Sequence, residues 1–112
     1  MIFQVKIDGI TVNRDTLNID HVEVEAEEDF CWIHFKSGEK VKYNTSLKTF
    51  VKKYGTPDGL ISAHRKYIIN LPEVKRIIKY CLIKTNYAKP LELGRKAYHI
   101  VKEYLTQKLK TT

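Results

Sequence analysis

Ser62-Ala63-His64-Arg65-Lys66-Tyr67-Ile68-Ile69-Asn70 is the stretch on which the reading of this chain turns. Three consecutive side chains able to carry positive charge stand directly before an apolar pair and an asparagine. Such a segment can grip an anion at one end while its other end is anchored in a core. The charge of the whole chain agrees with that. Of 112 residues, 20 are Lys or Arg and 13 are Asp or Glu, a formal net charge of +7 with a pI near 9.4. Residues 1–56 hold 8 Lys/Arg against 9 Asp/Glu, whereas residues 57–112 hold 12 against 4. Basicity serving solubility alone would be spread evenly. The second half therefore presents the field, and an anionic partner follows, nucleic acid ahead of a membrane surface.

Working outward, the chain is long enough for one domain, residues 1–112, and its 43% hydrophobic content is enough for a core. No apolar run approaches the roughly 18 residues of a membrane span, and no basic leader with an apolar run follows Met1. Cys31 and Cys81 are the only cysteines. Neither belongs to a CxxC pair, and both lie in apolar runs, which predicts buried thiols in a reducing, cytoplasmic setting.

The pattern before the central stretch is mainly β. Residues 1–7 alternate loosely up to the turn signal Asp8-Gly9, and residues 10–13 can return as a short strand. In 19–26, Val22, Val24 and Ala26 alternate with His21, Glu23 and Glu25, which predicts a strand with one polar face. Glu27-Glu28-Asp29 makes an acidic loop. Residues 30–36 carry apolar groups in both phases, a strand covered on both sides, and Ser37-Gly38 turns it into a partner in which Val41 and Tyr43 alternate with lysines. Leu47, Phe50, Val51 and Tyr54 then switch to helical spacing, with Thr45 or Ser46 to cap the start and Gly55 the end.

Beyond the central stretch, Leu71-Pro72 ends the segment. Residues 74–84 are β-prone but broken near Lys79-Tyr80, as two strands or one with a bulge. A turn over 85–90 has Lys84 and Lys89 at its shoulders. Leu91 and Leu93 make a last short strand, and Ala97, Val101, Leu105 and Leu109 recur as one stripe of a terminal amphipathic helix that opens at Gly94.

An enzyme is hard to assemble from these residues. There is no phosphate-cradling glycine loop, no HExxH and no nucleophile elbow. His21, His34, His64 and His99 are scattered without metal-ligand spacing, so no catalytic residue, cofactor or metal is predicted. The basic groups carry more information. His64, Arg65 and Lys66 share one segment, Lys84 and Lys89 flank a turn, and Arg95 and Lys96 open the last helix. Converging on one face, they would straddle a phosphate backbone. The planar fork of an arginine can pair with guanine N7 and O6, while lysines suit phosphate contact.

The stretch "AHRKYIINLPEV" resembles the signature of the LytTR DNA-binding domain, in which His and an aromatic precede an apolar pair, Asn and a further strand. "NIDHVEVEAEEDFCWIHF" is similar to that family's opening strands, "YNTSLKTFVKKY" to its Ser-Leu helix, and "LELGRKAYHIVKEYL" to its closing strand and Arg-led helix. The resemblance spans nearly the whole chain. It implies an elongated, mainly β fold, a β-β-β sandwich with short helices and a C-terminal amphipathic helix. It also implies double-stranded DNA binding through loops, at direct-repeat sites, in a bacterial transcriptional regulator of the response-regulator output type, with a receiver domain or another regulator as partner. Base contacts would come from around 28–30, from Arg65 with His64 and Lys66, and from Arg95. Lys66, Lys84, Lys89 and Lys96 would hold phosphates. Asn70 stands at the family's Asn position, with a structural role in local backbone hydrogen bonding.

Two positions depart from the family pattern: the first loop is acidic, and Gly94 stands where Ser is frequent. No receiver segment accompanies the module. An interaction module on the same fold and an RNA-binding β-domain that stacks bases on Tyr67, Tyr80 and Tyr87 are the alternative readings.

Overall fold

The N-terminal residues illustrate how directly local chemistry sets local structure. Strands β1 (Ile2–Ile7) and β2 (Ile10–Asp15) pair antiparallel through a two-residue turn. Asp8 and Gly9 both adopt positive φ, 52° and 78°, as a tight hairpin turn matched to strand twist requires. Phe3 and Val5 point inward, while Ile2, Gln4 and Lys6 face solvent.

The computed structural model describes residues 1–24, 29–86 and 88–110, so residues 25–28, which hold most of the predicted acidic loop, and Tyr87 lie outside the described residues. After a single 3-10 turn (Thr16–Asn18), β3 (Ile19–Glu23) is followed by β4 (Cys31–Phe35), β5 (Lys40–Tyr43), helix α1 (Leu47–Tyr54), β6 (Leu60–His64) and β7 (Tyr67–Asn70). A second 3-10 turn (Leu71–Glu73) leads to β8 (Val74–Lys79), β9 (Leu82–Thr85), β10 (Leu91–Glu92) and helix α2 (Arg95–Lys110). The centre is a five-stranded antiparallel sheet of order β5-β4-β3-β7-β6. The β1–β2 hairpin and α1 cover one face. The three-stranded sheet β10-β9-β8 and α2 cover the other. Extents of 44 × 31 × 24 Å make the molecule elongated.

Adjacent residues of the central strands therefore serve two different cores. Ile68 joins Phe3, Val22, Ile33 and Phe50 on one side, while Ile69 joins Leu71, Ile83, Leu91 and Val101 on the other. Each of these fully buried side chains stabilises the fold by roughly 1.5–3 kcal/mol. Phe3 is the hub of an aromatic cluster, with ring centroids 5.3–6.3 Å from Phe35, Tyr43, Phe50 and Tyr54. Burial there, with a hydrogen bond shared with the Tyr54 hydroxyl, pushes the Tyr43 hydroxyl up to about 12. Outside the cores, Arg14 makes a bidentate pair with Glu39 at 2.9 and 3.0 Å, and Lys36 meets Glu73 at 2.8 Å. These tie the covering elements to the central sheet.

Several expectations change in three dimensions. β3 has no polar face: His21 and Asp20 are buried, because a shift in pairing between Ile19 and His21 puts Ile19 and Val22 in the first core and β9 covers the opposite side. The β-prone run 74–84 resolves into two strands around a turn at Tyr80-Cys81, in which Cys81 takes φ 58°. That places Cys81 at a half-exposed turn rather than in a core. Leu109 is 77% exposed, since the stripe spaced every fourth residue drifts off the inner face of α2. Gly55 ends α1 in an extended conformation. A Cβ there would meet the Val51 carbonyl oxygen at 2.3 Å, so space, not left-handed backbone, selects glycine. Asn70 is structural, but its reach is long: its buried side-chain amide donates to the Ile19 carbonyl, 2.7 Å away on β3.

Two outcomes are expected. Asn70→Ala orphans a buried carbonyl and should cost about 1–3 kcal/mol in chemical denaturation; a loss below about 0.5 kcal/mol, typical of a surface change, would remove the amide from that role. Burial pushes the Cys31 thiol up to about 11. Native protein treated with iodoacetamide at mildly alkaline pH should therefore be alkylated at Cys81 and spared at Cys31, as read by peptide mass spectrometry.

Candidate nucleic-acid interface

The organising stretch is a hairpin. Antiparallel pairing of β6 with β7, shifted between Ser62 and His64, leaves Arg65 and Lys66 as the turn at one end of the central sheet. Nδ1 of His64 accepts a hydrogen bond from the Lys66 amide at 3.2 Å, and the ring lies 5.7 Å from that of Tyr67. His64 thus shapes the turn from which both cationic side chains project. Arg65 and Lys66 are exposed, and Arg65 has no ion pair or hydrogen bond among the described residues. The Val24 amide donates to the Lys66 carbonyl at 3.1 Å, so the chain departs toward the acidic loop directly beside this turn.

The start of α2 meets the same place. The Gly94 amide donates to the Ala63 carbonyl at 2.7 Å, fixing the helix mouth two residues from Arg65. The Gly94 Cα faces that carbonyl, and an added Cβ would lie 3.5 Å from the oxygen, ordinary contact. Glycine is thus not required there by space. An open groove of ≈ 660 Å³ runs between these elements, and His64, Arg65, Lys96, Thr56 and Ser62 are among its polar lining. Arg95 stands alongside, exposed, its Nε donating to the Tyr80 hydroxyl at 3.1 Å. Tyr80 in turn packs edge-on against Tyr98, with centroids 4.9 Å apart.

His64, Arg65 and Lys96 accordingly line one groove, with Lys66 and Arg95 adjacent to them in the chain. Lys84 and Lys89 are not part of that group. β10 runs back along β9 with Leu91 opposite Ile83, so the 86–90 loop lies about 10 Å or more along the strands from the Tyr80 turn. Lys84 donates one ammonium hydrogen to the Ala88 carbonyl, and Ala88 is buried with its amide bonded to the Thr85 hydroxyl at 3.1 Å. Lys89 is exposed on this anchored base. Tyr80, named above only as a base-stacking candidate of the RNA reading, reaches Arg95 from the turn between β8 and β9 that begins after the exposed Lys79. The break in the β-prone run at those two positions was the available signal, since a turn there is what reaches Arg95.

The family model described as LytTr DNA-binding domain matches residues 11–106. The chain belongs to the LytTR family. Its fold is also that of a solved LytTr DNA-binding domain from Bacillus cereus, with a TM-score of 0.72 at 15% identity over 93% of this chain and 95% of the other. No curated protein matches the sequence. LytTR is a family of DNA-binding domains and not of enzymes, and membership points to DNA binding in transcription regulation. Among the described residues, no helix is long and apolar enough to cross a membrane.

Proposed function

We propose that residues 1–112 act as one sequence-specific reader of double-stranded DNA, inserting loops into the grooves as a bacterial transcriptional regulator in the cytoplasm. The observation that supports this reading is the Gly94–Ala63 hydrogen bond, which holds the start of α2 against β6 beside a groove that Arg65 and Lys96 both line. Arg65 is the leading base reader, being exposed and unpaired among the described residues. Arg95 is the second, its guanidinium already oriented by Tyr80 while its terminal nitrogens keep their donors. His64 shapes the turn. Lys66 and Lys96 hold the phosphates nearest the two arginines, and Lys89 holds one farther along the backbone. Lys84 reaches phosphate with the two ammonium hydrogens not given to Ala88. Two copies occupy direct-repeat half-sites, because one small module offers limited interface. A receiver domain or another regulator supplies the input.

Duplexes selected from a random pool provide the matched sequence for a test of roles. Arg65→Ala should lose about 1–3 kcal/mol on the matched duplex and little on a scrambled one. Lys89→Ala should weaken both alike. If the two substitutions act identically on matched and scrambled DNA, the assignment of base reader and phosphate holder is wrong. In salt titrations of binding, each of Lys66→Ala, Lys89→Ala and Lys96→Ala should flatten the log–log slope by about 1. An unchanged slope would take that lysine out of the interface.

A further inference from the structure

Away from the basic face, the fold gathers three metal-ligating side chains that lie far apart in sequence. His21 and Glu23 lie two apart on β3, and His34 is the residue of β4 paired with His21. One donor atom from each of the three lies within 4.8 Å of the other two. The rings of His21 and His34 stack at 4.2 Å and 11°, and His34 Nε2 meets Glu23 Oε1 at 2.7 Å. All three sit on the second face of the central sheet, where β9 stops covering it. His21 is buried and the other two are half-buried.

We propose that His21, Glu23 and His34 bind a divalent transition-metal ion of the zinc class. Two imidazoles and a carboxylate are a donor set that zinc takes in sites with one position left for water. Zinc bonds of about 2.0–2.2 Å in a tetrahedron place ligand atoms about 3.3 Å apart, a spacing that side-chain rotation reaches from donor atoms now within 4.8 Å of one another, with His34 and Glu23 opening from 2.7 Å.

The surroundings of His21 favour coordination over a plain hydrogen-bond network. Its Nδ1 is held by Asp20 Oδ2 at 2.8 Å, which leaves Nε2 for the ion, and a carboxylate behind the ring raises the basicity of a ligating histidine. Asp20 is fully buried and is itself positioned by the Thr85 hydroxyl at 2.8 Å, while its Oδ1 has no hydrogen-bond partner among the described residues. A buried acid with spare acceptor capacity is better balanced with a dication across the imidazole. Among the described residues, Lys40, opposite His34 on β5, acts electrostatically on Glu23, and its nitrogen also lies over the Trp32 ring, 4.6 Å from the centroid. An ion bound here would clamp β3 to β4 and, through Asp20 and Thr85, to the third layer.

The test is calorimetric titration of the chelator-stripped full chain with zinc, repeated with cobalt to read tetrahedral coordination by visible absorption. Wild type should take up one ion per chain and gain thermal stability with zinc concentration. His34→Gln and Glu23→Gln should each weaken binding by at least about tenfold, the lower bound for losing even an outer-shell partner, and lose the zinc-dependent shift. His99→Gln should behave as wild type. Circular dichroism checks each variant, and Glu23→Gln carries the test if His34→Gln is unfolded. No uptake by wild type overturns the proposal, as does binding that survives both substitutions or disappears in His99→Gln.

Discussion

A sheet with apolar side chains on both faces must be covered twice, and this constraint shapes the whole molecule. β7 expresses it most plainly, with Ile68 and Ile69 both essentially inaccessible on opposite sides. The chain meets it by spending its N-terminal hairpin and α1 on one face and its last three strands and α2 on the other. Because the second cover comes from the C-terminal third, the start of α2 is drawn against β6. The hydrogen bond between Gly94 and Ala63 follows from that packing. The basic residues of the middle and of the end of the chain become neighbours as a consequence of how the core closes.

Charge then divides between the two ends of the chain. Among the described residues of the first half, Arg14 with Glu39 ties the hairpin to the central sheet, and Glu23 with His34 ties two strands within that sheet. The hydrogen bond from Arg14 is the main reason the Glu39 carboxyl sits below its ordinary range, and His34 does the same for Glu23. In the second half, Arg65, Lys66, Lys89, Arg95 and Lys96 point to solvent. Exposed charge of one sign is what a polyanion requires.

The polar network beneath the open part of the second face has a different logic. Asp20, His21 and Thr85 are buried polar groups, and burying them is tolerable only because they satisfy one another. β3 carries this network because it is the central strand, facing β9 over half its length and solvent over the rest. There the fold sets imidazoles from two strands against a buried acid.

Local pattern determined the elements. Alternation marked the strands before the central stretch, helical spacing marked α1 and α2, Asp8-Gly9 and Ser37-Gly38 marked turns, and the asymmetry of charge marked the basic half. Short-range sterics and side-chain periodicity dictate these features, and both are written in neighbouring residues. What only the tertiary structure decided was which faces were covered, because covering depends on segments distant in the chain. Thus the polar phase of β3 lies under β9, Cys81 emerges at a turn, and Leu109 points away from the core. His21 and His34, 13 residues apart, touch only through strand register. Arg65 and Lys96, 31 residues apart, line one groove because one backbone amide reaches one distant carbonyl. No sequence spacing encodes that contact; the closing of the second core does.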